Sequence, residues 1–536
     1  MNDQPDSRPD EPGSAAHDPD RPPALLEMMG RDWAPRTDPL PEQSPAAPFR
    51  LGRRKALSEL FAGEWLVVPT GGYQVRANDT DFRFRPGSDF SWLVGSSQPE
   101  AVLVVEPSGE AVLYQAPSMD RTTPAFFTDR AHGELWVGPR PTLAATSALL
   151  GIDTRPREDL EPVLEKALEA AAPVRILRGY DRQLEALVDA AQPVSRRDAD
   201  EPVGRRDADE PAGADQPRSA DRLVGPDGVD RPDLPDQADL PDQADQPDPP
   251  DRHRQLAMAL SELRLVKDDY EVDQLEQAVA ATVVGFADVV RALPQARQTS
   301  ERWIEGIFGL RARTAGNDVG YGSICAAGPH ACTLHWTDND GPVRDGDLLL
   351  LDAGVEGREL YTADVTRTLP ISGRFTDRQR EVYQLVYDAQ EAAFAVCRPG
   401  ADFLDPHRAA MRVLAHGLAR LGVLADAEAA LDPDDQSYRR YTLHGVSHML
   451  GLDVHDCSHA RDQTYRHGTL HPGYVLTIEP GLYFQPDDLT VPADLRGIGV
   501  RIEDDVLVTE QGCRNLSGAL PRSPEDVERW MAGLLA

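Results

Sequence analysis

His444-Gly445-Val446-Ser447-His448, followed by Gly451-Leu452-Asp453-Val454-His455-Asp456, sets three histidines within twelve positions of a chain that holds 13 in all. On a helix His444 and His448 would share a face, but Gly445 and Gly451 disfavour a regular helix. A lone histidine is more often a hydrogen-bonded core residue than a ligand; three together, with Ser447 and Asp456 among them, point to a site. Downstream, the apolar run Val475-Leu476-Thr477-Ile478 ends in Glu479-Pro480-Gly481, and Ile498-Gly499-Val500-Arg501-Ile502 ends in Glu503. Upstream, Asp345-Gly346-Asp347 turns into Leu348-Leu349-Leu350-Leu351, which ends in Asp352. Tyr361-Thr362-Ala363-Asp364-Val365-Thr366-Arg367 reads as a returning hairpin strand that brings Asp364 beside Asp352.

A carboxylate that ends a buried strand needs its charge compensated. Taken alone, either aspartate also suits a turn. Four acids gathered in one interior would repel and stay protonated unless divalent cations totalling about +4 balanced them. One imidazole with four carboxylates therefore suits a pair of divalent ions and metal-assisted hydrolysis. The oxygen-rich set favours a harder ion such as manganese over a thiolate-bound structural zinc.

The rest of the composition narrows the class. At 536 residues the chain exceeds what one core organises, so two domains are expected. A formal charge of -35 excludes nucleic acid and anionic membrane surfaces as natural partners. No apolar run reaches the roughly 18 residues of a membrane span, and no basic region followed by an apolar stretch opens the chain, so a cytoplasmic protein is expected. The five cysteines, Cys325, Cys332, Cys397, Cys457 and Cys513, form no C-x-x-C pair and suggest reduced, buried thiols.

Residues 1–45, rich in Pro, Asp, Gly and Ala, read as a disordered tail. Residues 46–190 alternate helix and strand: a helix over Arg53 to Phe61, strands at Trp65 to Val68, Phe90 to Val94, Ala101 to Val105 and Ala111 to Tyr114, and helices at Leu143 to Leu150 and Leu160 to Ala171. Across 191–254, Arg-Arg-Asp-Ala-Asp-Glu-Pro and Leu-Pro-Asp-Gln-Ala-Asp each occur twice, and proline every few residues predicts a disordered acidic insertion. Residues 255–536 resume with helical spacing over Gln255 to Leu293 and Gly400 to Val423. Strands are expected at Leu348 to Leu351, Thr366 to Leu369, Val475 to Ile478 and Val506 to Val508. The fold class is mixed α/β, of the α+β kind.

The order and wording of these motifs resemble the Xaa-Pro aminopeptidase (aminopeptidase P) group of the pita-bread metallopeptidases, over about 50–190 and 255–536. The resemblance implies a creatinase-type N-terminal domain followed by a pita-bread catalytic domain. It places two divalent ions on Asp352, Asp364, His448, Glu479 and Glu503, with Asp364 and Glu503 bridging, Asp352 on one ion, and His448 and Glu479 on the other. It also places substrate contacts on His335, His444, His455, Arg501 and Tyr483. Asp89, in Phe82-Arg83-Phe84-Arg85-Pro86-Gly87-Ser88-Asp89-Phe90, is matched to the peptide's amino end. The implied reaction is attack of a hydroxide bridging the two ions on the bond between a first residue and proline. Glu479 assists proton transfer, while His455 and His335 steady the oxyanion or the carbonyl. One residue more than the family's usual interval separates Asp352 from Asp364, and the extra residue is expected in the loop Gly357 to Leu360. Peptides with proline in second position are the implied partners, and homodimers or homotetramers the implied assemblies.

Prolidase shares the ligands but cleaves only dipeptides; Ser447 and the run Ile498 to Asp505 look more like aminopeptidase P. Methionine aminopeptidase lacks this N-terminal domain, and creatinase-like enzymes use the fold without metal. A catalytically inactive pita-bread module that binds protein is the reading from a different class.

Overall fold

The computed structural model describes residues 21–37, 39–78, 80–191 and 251–536. The disorder expected of residues 1–20, and of the insertion over 192–250, lies outside the described residues. Strict alternation governs the N-terminal half. In the strand Trp65–Pro69, Leu66 and Val68 join one apolar cluster with Phe90 and Leu103, while Val67 joins another with Leu160, Leu164 and Val188. A strand buried on both faces demands cover on both sides. The resulting sheet runs in the order Asp153–Pro156, Ala111–Gln115, Val102–Val105, Trp65–Pro69, Val174–Ile176, antiparallel within its middle three strands and parallel at both edges. Helices Leu160–Glu169 and Arg182–Ala191 cover one face. The other face rests on Leu256, Leu260, Leu275, Leu450 and Val475 of the C-terminal half.

Three expectations are corrected. Residues 21–37 and 39–45 are not an unstructured tail: Pro23–Met29 is helical, Trp33 stacks on Phe127 at 6.4 Å, and the Ser44 amide donates to Leu149 O at 2.8 Å. Such a segment builds no core of its own, yet its few large side chains dock on a surface already folded. Phe90 to Val94, read as a strand, belongs to the helix Ser88–Leu93, all six residues of which are buried. A short helix buried on every side carries no periodicity of exposure to separate it from a core strand. The helical run from Gln255 is two helices, Arg252–Arg264 and Asp269–Ala296, because Asp268 and Glu271 close a capping box.

In the C-terminal half, Leu348–Asp352 lies between Ile324–Ala327 and Thr366–Pro370, antiparallel to both. Val475–Ile478 pairs with Asp504–Thr509, and beyond a break Gly481–Tyr483 pairs with Gly499–Arg501 in the same register. The helix pairs Asp269–Ala296 with Glu301–Ala315, and Asp377–Val396 with Asp405–Arg420, pack around these strands.

An ionic cluster ties the halves together. Arg264 donates to Asp89 at 2.8 Å and Asp453 at 2.9 Å and also to Asp456, which Lys267 Nζ meets at 2.8 Å. Burial would raise the Asp456 carboxyl, but Arg264 and Lys267 outweigh it and hold it at about 2, below its ordinary 3.8. A carboxyl depressed by folding stabilises fully above its unfolded value and loses that contribution as pH falls through its folded one. Stability from Asp456 is therefore expected to disappear between about 3.8 and about 2. In Lys267→Met the folded value rises toward the unfolded one, so urea unfolding over that window should show a shallower loss than wild type. Identical slopes would contradict the pairing.

Candidate metal centre and active site

Backbone pairing brings the five candidate ligands to neighbouring positions, Asp352 at the end of a strand and the other four in the segments that flank or break the adjoining strands. Asp352 ends its strand opposite Thr366, the Thr366 carbonyl accepts from the Glu503 amide at 3.1 Å, and the unbroken register sets Glu503 across from Glu479. On the far side the Glu479 amide donates to Val446 O at 2.9 Å and the Thr477 amide to His448 O at 2.9 Å. Asp364 follows the hairpin tip, where Gly357 N donates to Tyr361 O and Leu360 adopts φ 70°. That left-handed residue sits in the loop where the additional position was expected. Gly354 is obligatory in the same hairpin, since a Cβ there would stand 1.7 Å from Ala363 O.

Side chains converge accordingly. Among the described residues, Asp364, His448 and Glu503 each offer a ligand atom within 4.8 Å of one another. His448 Nε2 lies 3.3 Å from Asp364 Oδ2 and 3.4 Å from Glu479 Oε1, while its Nδ1 faces Met449 O at 3.1 Å. The backbone contact assigns one proton to Nδ1, so Nε2, which faces the carboxylates, is the atom on which a divalent ion would replace a proton. Asp352 joins through Tyr321, whose hydroxyl lies 2.7 Å from Asp352 Oδ1 and 2.5 Å from Asp364 Oδ1.

The donor set fits divalent cations. Burial, reinforced by Asp364 and Glu479, pushes Glu503 well above the carboxylate range. Burial likewise lifts Glu479 to about 7 against His448, and raises Asp352 against Arg501. Burial works against charge on His448, but Asp364 and Glu479 prevail and raise it to about 9. Carboxyls so crowded ionise together only beside cations.

The other candidates divide. Arg501 Nη2 donates to Asp352 Oδ2 at 2.5 Å and its Nη1 to the Tyr483 oxygen at 3.0 Å; the Tyr483 hydroxyl in turn lies 2.8 Å from His444 Nε2. His444 donates from Nδ1 to Gly445 O at 2.7 Å. Burial and Arg501 hold His444 down at about 3, a neutral imidazole. The His455 ring meets that of His448 edge-on at 4.6 Å. His335 and His455 are exposed, and His335 stands close enough to act electrostatically on both His444 and His455. Asp89 stands apart: its carboxylate is held by Arg264 in the interdomain cluster, and it shares no hydrogen bond or ion pair with the five.

Several supporting residues carried no sequence signal strong enough to single them out. Tyr321 lies between Gly320 and Gly322, a turn that gives no hint of what its hydroxyl reaches. Thr366 donates to Glu503 Oε2 at 2.6 Å, and both oxygens of Asp505 accept from the Asp364 amide at 3.1 and 3.3 Å. Asp505 closes the run Ile498 to Asp505, but only the fold shows that it steadies Asp364.

Comparison with known proteins agrees with this geometry. The profile of metallopeptidase family M24 matches residues 273–510, and that of the aminopeptidase P N-terminal domain matches residues 51–176. Xaa-Pro aminopeptidase 1 of Streptomyces coelicolor is 47% identical over 519 residues, covering 95% of this chain and 92% of the relative. Xaa-Pro aminopeptidase of Escherichia coli is 31% identical, covering 90% and 97%. Among solved structures, Pseudomonas aeruginosa aminopeptidase PepP superposes with a TM-score of 0.72 at 29% identity, covering 92% of this chain and 99% of its own. A zinc-substituted Escherichia coli aminopeptidase P in complex with product gives 0.71 at 28% identity, covering 92% and 99%. The creatinase-type N-terminal domain and pita-bread catalytic domain expected from the sequence are borne out by these matches. With the ligand strands, the two matched domains and an identity of 47% along nearly its whole length, this chain belongs to the Xaa-Pro aminopeptidases of metallopeptidase family M24.

Proposed function

We propose that this protein releases the first residue from peptides whose second residue is proline. The observation that carries the reading is the clustering of Asp364, His448 and Glu503, joined by Glu479 beside His448 and by Asp352 through Tyr321, in a chain 47% identical to an Xaa-Pro aminopeptidase. Two divalent ions would be held by Asp352, Asp364, His448, Glu479 and Glu503, with Asp364 and Glu503 serving both sites, Asp352 one, and His448 and Glu479 the other. Four carboxylates with one imidazole favour manganese. Ions held there supply a polarised carbonyl and a water acidic enough to lose its proton near neutral pH.

The chain's own residues do the remainder. Glu479 takes the proton of the attacking water and passes it toward the departing proline nitrogen. Tyr321 fixes the mutual spacing of Asp352 and Asp364. The fixed charge of Arg501 orients Asp352 and, through Tyr483, the neutral His444. His455 and His335 donate toward the oxygen on which charge develops, a contribution that grows as water is excluded. For assembly, a homodimer or homotetramer is proposed, supported by the exposed run Leu135, Trp136 and Val137.

Xaa-Pro-Xaa tripeptides assayed beside Xaa-Pro dipeptides test the specificity. Release of the first residue from tripeptides is the expected result; cleavage of dipeptides alone would make the protein a prolidase.

A further inference from the structure

Three of the five thiols are separately buried: Cys325 in a strand, Cys332 donating to Phe484 O at 3.2 Å, and Cys457 beside Asp456 at 3.4 Å. The other two meet. Cys397 closes the helix Asp377–Val396, and its amide donates to Phe394 O at 3.2 Å; Cys513, on the strand Gly512–Asn515, points its Sγ at the same carbonyl from 3.7 Å. The Cys397 backbone and the Cys513 side chain thus meet at one carbonyl, which sets the two thiols as neighbours that act electrostatically on each other. Cys397 is buried, whereas Cys513 is half-buried and open to a small oxidant.

We propose that Cys397 and Cys513 form a reversible disulfide when the protein meets a peroxide, stapling the end of the Asp377–Val396 helix to the Gly512–Asn515 strand. The contact with Cys397 lowers the Cys513 thiol and, together with burial, raises Cys397, so Cys513 supplies the thiolate and Cys397 the resolving thiol. The Cys513 sulfur attacks one peroxide oxygen, the O–O bond breaks, and hydroxide leaves, giving a sulfenic acid. Cys397 then loses its proton and attacks that sulfur, forming the S–S bond and expelling the second oxygen as water. Two thiols give up two electrons and one peroxide becomes two waters. The linked elements already brace the site from another point: Gln390 of the same helix donates to Ile478 O at 3.0 Å and Asp504 Oδ2 at 2.8 Å, beside Glu479 and Glu503. The staple fastens the far end of that sheet to the same helix.

The test treats the full-length protein with hydrogen peroxide, blocks free thiols with iodoacetamide under denaturing conditions, and maps peptides without reductant. The expected result is one peptide pair joining Cys397 to Cys513, reversed by dithiothreitol, with a melting temperature several degrees above the reduced form. In Cys513→Ser, a substitution at the half-buried partner, Cys397 should be recovered fully alkylated after the same treatment. Recovery of both cysteines alkylated in wild type, pairing of either with another thiol, or conversion of Cys513 to sulfinic acid without a link would overturn the proposal.

Discussion

Replacing Glu503 by alanine is expected to lower turnover by about 10³-fold or more, equivalent to about 4 kcal/mol of transition-state stabilisation. The residue is 2% exposed, faces Glu479 across the break between two strand pairs, and receives the Thr366 hydroxyl at 2.6 Å. Its position is thus set by backbone register on one side and by a hydrogen bond on the other. As one of two residues assigned to both ions, it cannot be lost without weakening both sites. Glu503→Gln preserves shape and can still meet Thr366, but it removes a negative charge, so it should be inactive as well. Elemental analysis of the two variants should show less bound metal per chain than wild type. Near-normal turnover in Glu503→Ala would remove the two-ion assignment.

The second large effect concerns stability. Arg367 is among the largest side chains in the protein with no exposure, and it donates to Thr366 O, Glu503 O, Leu520 O, Pro521 O and Asp504 Oδ1. A guanidinium has donors enough to meet all of these in one plane. Removing one member of a buried ion pair leaves the other charged and uncompensated, at a cost of about 3–5 kcal/mol. Arg367→Ala should lose that much in urea unfolding. Because Asp504 shares the network with Ser517 and Gln390, the double variant Arg367→Ala with Asp504→Ala should cost less than the two single losses added. Strict additivity would show that the pair is not coupled.

Legibility differed from residue to residue. Asp352, Glu479 and Glu503 announced themselves as acids ending apolar strands, a conflict between burial and charge visible in one dimension. Their strands form where expected, at Leu348–Asp352, Val475–Ile478 and Gly499–Arg501. What one dimension does not carry is register across the fold. That Glu479 faces Glu503, or that the Asp505 carboxylate caps the Asp364 amide, follows from pairings between strands distant in sequence. Tyr321 was missed for a related reason, since a tyrosine flanked by glycines announces a turn and not its hydroxyl's destination. The helix Ser88–Leu93 was misread because burial on every side erased its period. Residues 21–37 and 39–45 were misread because composition describes what a segment can do alone, whereas Trp33 and Arg36 act on a neighbour: Trp33 stacks on Phe127 and Arg36 donates to Glu134 at 3.1 Å.

The most direct test of the central claim is release of the first residue from an Xaa-Pro-Xaa tripeptide and from a matched Xaa-Ala-Xaa control by the manganese-loaded protein, with and without chelator. Release that requires proline and is abolished by the chelator is the predicted result. Equal release from both peptides, or release that persists after the metal has been stripped, would contradict the account.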